Sequence, residues 1–175
     1  MNIGRVVGAL ALCCGMAAQA HAACWDARTI EAAQIRQFDI MLMVSALRCQ
    51  VKGVDLVPDY NAFVRSNKPT LIGANEEILR HFNAGMGGRA ALDAYDRFGT
   101  VMANQFGNGG VSEDCETLRS IVRDAMAGDM ASTRDRLLGA AQRVGMEPPL
   151  PGGQCAAEIA DARDMPSRAR VAMTH

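Results

Sequence analysis

The segment IMLMVSAL, residues 40–47, has no charged side chain on any side. It lies within residues 27–51, where apolar residues recur at the spacing of a helix. A helix that is apolar all round is stable when other helices surround it. We therefore predict that residues 27–51 form the buried first helix of an all-α bundle, with Asp26 as its N-cap.

The rest of the chain also has helical periodicity, without the alternation typical of strands. We expect helices over residues 58–65, 69–83 and 89–106, then from Ser112 to Gly128 and from Ser132 to Val144. The break at SNKP, residues 66–69, is predicted because proline lacks a backbone N–H. The bundle then has five or six helices, depending on whether residues 58–65 form a full member.

The first 23 residues have the parts of a secretory signal peptide in order. Arg5 precedes the apolar run VVGALALCCGMAA, residues 6–18, and small residues follow it. The run is shorter than the roughly 20 residues that span a bilayer. We expect residues 1–23 to be cleaved, which leaves no transmembrane segment and predicts a periplasmic or secreted protein; a buried N-terminal helix is the alternative. Lipid attachment at Cys24 is disfavoured, since His21 stands where leucine is normal.

Cleavage also sets the organisation of the remaining chain. We expect one helical domain over residues 24–146. Residues 147–175 begin with EPPLPGGQ and are predicted to be a Pro/Gly linker and a C-terminal tail. Cys155 would pin this tail, with a last short helix as far as Arg163.

Four cysteines follow the signal segment: Cys24, Cys49, Cys115 and Cys155. An even number in an exported chain predicts two disulfides. If residues 58–65 only cross the bundle, the pairs are Cys49–Cys115 and Cys24–Cys155, at opposite ends. If that segment is a full member, the pairs are Cys24–Cys115 and Cys49–Cys155. Bound zinc is disfavoured because the chain has no CxxC or HxxxH motif.

Charge and motifs exclude several classes of function. Of 18 basic residues only Arg5 lies in the signal segment, so residues 24–175 carry 17 basic and 19 acidic residues, a formal charge of −2. This balance does not fit a nucleic-acid partner. The chain has no Walker loop, GxGxxG or GxSxG motif, and we predict no cofactor. Copper(I) could bind the methionines Met41, Met43, Met102, Met126 and Met130, but their helical positions favour a role in filling the core.

No catalytic residue is assigned, although two groups of side chains are candidates. Glu77 and His81 lie four residues apart on one helix face, where they could share a metal or act as base and orienting group. The alternative is a surface pair beside an ion pair of Glu76 with Arg80. A metal site would need a third ligand that the pattern does not indicate, so we predict none.

The second group is the pair Asp93 and Asp96, at the start of DAYDRFGTVMANQFG. Two carboxylates across a cleft can cleave a glycosidic bond. The alternative is a solvated helix face on which Asp93 pairs with Arg89 or Arg97.

Three motifs and a cysteine resemble a known family. They are CWDARTIEAAQIRQFDIMLMVSALRC, YNAFV, YDRFGTVMANQFG and Cys115. The family consists of small exported alphaproteobacterial proteins without an established function. Some relatives bear the label S-adenosyl-L-homocysteine hydrolase, but this sequence lacks the Rossmann fingerprint that such an enzyme needs.

Two functions remain as hypotheses. The first is an exported, non-catalytic binding or envelope-associated protein that acts on a protein or envelope partner through a helix groove or surface. The alternative is a cell-wall glycan hydrolase that uses carboxylates among Glu76, Glu77, Asp93 and Asp96.

Overall fold

The helices follow one another with short connections. The computed structural model describes residues 24–107, 113–127 and 133–156. It contains α1 (Ala27–Val51), α2 (Val57–Gly85), α3 (Gly88–Gly107), α4 (Cys115–Met126) and α5 (Thr133–Arg143). These ranges contain no strand, only one isolated bridge between Trp25 and Gln154, so the all-α fold is confirmed. The signal segment, the helix starts predicted at Ser112 and Ser132, and the tail beyond residue 156 lie outside the described residues.

Helix α1 begins and ends where the sequence predicts. The Asp26 carboxylate accepts a hydrogen bond of 2.7 Å from the backbone N–H of Thr29, which satisfies one free donor of the first turn. The helix packs against each of α2, α3, α4 and α5. Its apolar segment is not covered all round, because Met43 and Leu47 remain 37% and 54% exposed.

Helix α2 corrects the prediction of two helices separated at SNKP. It runs unbroken from Val57 to Gly85 with Pro69 in its interior. Apart from Glu77, its buried side chains form one stripe in register on both sides of the proline: Phe63, Asn67, Leu71, Ala74, Ile78 and Phe82. The free energy gained by burying this stripe outweighs the cost of about 3 kcal/mol for a proline within a helix.

The substitution Pro69→Ala is therefore expected to stabilise the protein by about 2 kcal/mol. The alanine N–H can bond the carbonyl of Arg65 one turn earlier, and part of the gain is offset because the unfolded chain becomes more flexible. Urea unfolding followed by circular dichroism measures the change. If Pro69→Ala lost stability instead, a continuous α2 would be contradicted. Proline stabilises a protein at a helix break, where its fixed φ is needed and no N–H is lost.

The disulfides are Cys49–Cys115 and Cys24–Cys155. This is the first of the two pairings considered from the sequence. Because α2 is a single continuous helix, the chain runs along α1, returns along α2 and runs forward again along α3. The guanidinium of Arg48 donates to the Phe106 carbonyl at 3.1 Å, which places the ends of α1 and α3 side by side. Cys49 and Cys115 consequently lie at the same end of the bundle.

Helices α4 and α5 close the other side of α1. Asp114 caps α4, and its carboxylate accepts from the backbone N–H groups of Glu116 and Thr117 at 2.9 Å each. Gly145, with φ of +67°, follows the end of α5, in a conformation that favours glycine. None of the helices in the described ranges is long and apolar enough to cross a membrane.

Candidate functional site

Residues 146–155, here called the proline segment, pack against the bundle, turn at residues 151–152 and are fixed at the Cys24 end. The backbone N–H of Trp25 donates to the Gly153 carbonyl, and that of Cys155 donates to the Trp25 carbonyl, both at 3.0 Å. The indole Nε1–H of Trp25 donates to the Pro151 carbonyl at 2.8 Å. Together with the Cys24–Cys155 disulfide, these bonds tie the segment to the residues that precede α1.

The other end of the proline segment is held by amide side chains of α1. Gln34 donates to the Met146 carbonyl at 3.3 Å, and Gln37 donates to the Glu147 carbonyl at 3.1 Å. The same Gln37 amide donates to Gln105 of α3 at 2.9 Å. Residues predicted as a linker thus pack between α1 and α3.

An aromatic cluster lies under the proline segment. It consists of Trp25, His81, Phe82 and Phe98. Trp25 is fully buried. Its ring centroid lies 4.0 Å from that of His81, 5.7 Å from that of Phe82 and 5.2 Å from that of Phe98. These contacts join the start of α1 to the end of α2 and the middle of α3.

An apolar cavity of about 290 Å³ opens beside this cluster. Its lining residues are Phe82, Met86, Ala94, Arg97, Phe98, Val101, Pro149 and Pro151. Phe82, Ala94 and Phe98 are buried and form its floor. Met86 and Val101 are 49% and 48% exposed, so they belong to the rim. An apolar pocket with few polar groups is the usual form of a small-molecule site.

Among the described residues that line this cavity, Arg97 is the only one with a charged side chain. It is exposed and has no ion-pair partner within the described ranges. The carboxylate of Asp93, one turn earlier, is bonded to Arg89 at 3.3 Å. The rim of the cavity therefore has a guanidinium that no carboxylate of the described residues contacts directly.

The structure does not pair Glu77 with His81. The Glu77 carboxylate is buried and bonds Arg28 of α1 at 3.1 Å and Arg80 at 2.9 Å. The expected ion pair of Glu76 with Arg80 is wrong, because Arg80 bonds Glu77 with both of its terminal nitrogens. Glu77 thus joins α1 to α2 through two cations.

His81 packs on Trp25 instead. Burial lowers the pKa of the His81 imidazole, and the Asp26 carboxylate opposes this shift only in part. At neutral pH the ring is therefore uncharged, as suits its contact with the indole.

Stability is accordingly expected to fall as the pH is lowered below about 6.5, the ordinary pKa of histidine. In that range the unfolded chain takes up a proton that the folded chain binds less readily. Urea midpoints at pH 7.5 and 5.5 are expected to differ more for the wild type than for His81→Phe, which keeps an aromatic ring. Equal pH dependence in the two proteins would contradict this role for His81.

Asp93 and Asp96 lie on the exposed face of α3. Asp96 lines a second cavity, of about 370 Å³, together with Arg36 and Tyr95. It is the one carboxylate among the lining residues of that cavity in the described chain. The structure therefore does not bring two of the predicted carboxylates together there.

Sequence reasoning missed the buried carboxylate of Asp39. It accepts hydrogen bonds from Arg36 at 2.6 Å and from the hydroxyl of Tyr60 at 3.1 Å. Burial raises the pKa of Asp39, and both partners oppose the shift. Burial, reinforced by the Asp39 charge, raises the pKa of Tyr60 as well. Both carboxylate oxygens are bonded, so the group joins α1 to α2.

The described residues contain no group of three or more His, Cys, Asp and Glu side chains that could hold a metal. Met41 and Met102 are buried in the core, where thioethers fill irregular gaps. Met130 lies outside the described residues.

The cavity itself was not predicted, because three separate segments supply its walls. The available signals were a tryptophan next to Cys24 and three prolines before Cys155. Neither signal specifies which helices the segment covers. No protein-family model, curated protein or solved structure matches this chain.

Proposed function

We propose that this chain is an exported, non-catalytic binding protein that takes a small apolar ligand into the cavity under the proline segment. The observation that carries the proposal is the cavity itself. Its floor is made of buried aromatic and alanine side chains, and its rim exposes Met86 and Val101. Exposed apolar side chains around a concave apolar surface are typical of a binding site.

Export is the second part of the proposal. Two disulfides form and persist in oxidising compartments such as the periplasm or the exterior of the cell. Residues 1–23 have the charge, apolar run and small residues of a secretory signal peptide in order, and the chain resembles small exported proteins. Both features support the same location. The partner envisaged is an apolar molecule of the cell envelope.

Titration with N-phenyl-1-naphthylamine, a neutral apolar fluorophore, tests the proposal. We expect saturable binding to one site. Val101→Trp fills the rim of the cavity and is expected to weaken the affinity at least tenfold. Leu92→Trp is the matched control, because Leu92 is a similarly exposed residue of α3, 47% accessible, that does not line the cavity.

Two results would contradict the proposal. One is a wild-type protein that does not bind the fluorophore. The other is an equal loss of affinity in Val101→Trp and Leu92→Trp, which would place binding elsewhere on α3.

The glycan hydrolase has less support from the geometry. Glu77 is bonded to two arginines and Asp93 to a third. Hydrolysis needs two carboxyl groups roughly 5 to 9.5 Å apart on either side of the sugar bond. We therefore expect no clearing of a peptidoglycan zymogram, and clearing by wild type that Asp96→Asn abolishes would reinstate the enzyme.

A further inference from the structure

We infer that the ligand of this cavity is an apolar carboxylate, whose charged end Arg97 binds and whose hydrocarbon lies on Phe82 and Phe98. This inference rests on the proposed function and goes further, because it names the class of ligand. It follows from which polar groups the cavity offers and which it lacks.

The two prolines in the wall formed by the proline segment offer no hydrogen-bond donor to a ligand. Pro149 and Pro151 line the cavity, and proline has no backbone N–H to donate. The carbonyl of Pro151 already accepts from the indole of Trp25 at 2.8 Å. A hydrogen-bond acceptor of the ligand, such as a carboxylate oxygen, would lose its hydration against these prolines without a replacement bond.

The helical walls are equally apolar except at one position. Phe82, Met86, Ala94, Phe98 and Val101 supply only hydrocarbon, thioether and aromatic surface. Successive turns of α3 place Ala94, Arg97 and Val101 along the cavity. The polar end of any bound molecule is thus directed to the guanidinium of Arg97.

The charge at that position selects an anion. Arg97 has no ion-pair partner within the described ranges. Of the carboxylates near it on α3, Asp93 is bonded to Arg89 and Asp96 lines the separate cavity beside Arg36. A guanidinium binds a carboxylate through two parallel N–H···O bonds. A single arginine also matches a single negative charge, whereas phosphate sites commonly add helix N-termini or further cations.

The volume of the cavity sets the length of the probe. At about 30 Å³ for each group the size of a methylene, an eight-carbon chain fills most of the volume of about 290 Å³, and a larger molecule extends past the exposed rim at Met86 and Val101. Octanoate is therefore a suitable probe. Octanol and octylamine have the same eight-carbon chain, which ends in a neutral hydroxyl in octanol and in a cationic ammonium in octylamine.

Isothermal titration calorimetry with these three compounds tests the inference. Octanoate is expected to bind at least tenfold more tightly than octylamine. Arg97→Gln is expected to weaken octanoate about tenfold and to leave octanol unchanged. The matched control Arg65→Gln removes the same charge from an exposed position of α2, outside the cavity, and is expected to change neither affinity.

The outcomes separate this inference from the proposed function. If octanoate and octanol bind equally and Arg97→Gln changes neither, the cavity binds apolar molecules but the assignment of a carboxylate is wrong. If the Arg65 and Arg97 variants lose octanoate affinity equally, the loss comes from the lower net charge of the protein, and the assignment is also wrong. If octanoate, octanol and octylamine all fail to bind, the assignment of a carboxylate is wrong. The titration with N-phenyl-1-naphthylamine then tests separately whether the cavity binds apolar molecules.

Discussion

The double substitution Cys24→Ser/Cys155→Ser is expected to weaken binding of the neutral fluorophore at least tenfold and to destabilise the protein. The disulfide joins residues separated by 131 positions. On the chain-entropy model, closing a loop of that length contributes about 5 kcal/mol. Affinity falls as well, because this disulfide holds the proline segment, and Pro149 and Pro151 form one wall of the cavity.

Cys49→Ser/Cys115→Ser is the matched control. Its disulfide spans 66 positions, and its removal is expected to cost about 4 kcal/mol. Neither cysteine lines the cavity under the proline segment, so the affinity of the folded fraction is expected to stay near that of the wild type. Fluorophore titrations, corrected for the folded fraction measured by circular dichroism, compare the two variants. Equal losses of affinity would contradict a specific role for Cys24–Cys155.

Trp25→Ala is expected to destabilise the protein by about 3 to 5 kcal/mol, the range for removing a large buried aromatic side chain. Trp25 is fully buried and contacts the rings of His81, Phe82 and Phe98. Its loss removes the anchor that connects three helices, together with the hydrogen bond to the Pro151 carbonyl.

Trp25→Phe separates these two contributions. The phenyl ring keeps most of the packing and loses the bond to Pro151, and we expect a cost of about 1 to 2 kcal/mol. Urea unfolding monitored by circular dichroism at 222 nm measures both variants without a need for indole fluorescence. A cost below 1 kcal/mol for Trp25→Ala would show that the aromatic cluster does not hold the bundle together.

The parts of the fold that depend on local signals were predictable from the sequence. Asp26 begins α1 because a carboxylate at that position bonds the first turn, and Gly145 follows α5 because glycine adopts positive φ easily. Pro69 shows where local rules stop. Proline predicts a break, but a buried stripe from Phe63 to Phe82 continues the helix through it, and that burial depends on α1.

The site could be predicted less well, because its contacts join distant parts of the chain. Glu77 and His81 are neighbours on α2, yet Glu77 bonds Arg28 of α1 and His81 packs on Trp25. The spacing of residues on one helix does not reveal the partners supplied by another. The cavity likewise depends on how the proline segment crosses α3, which composition alone does not specify.

The most direct test of the account is an NMR experiment that places the neutral fluorophore on the protein. Intermolecular NOEs from N-phenyl-1-naphthylamine to the ring protons of Phe82 and Phe98 are expected, with contacts to Val101 at the rim. NOEs confined to other exposed apolar side chains, such as Leu47 on α1 (54% accessible), would contradict a binding site under the proline segment.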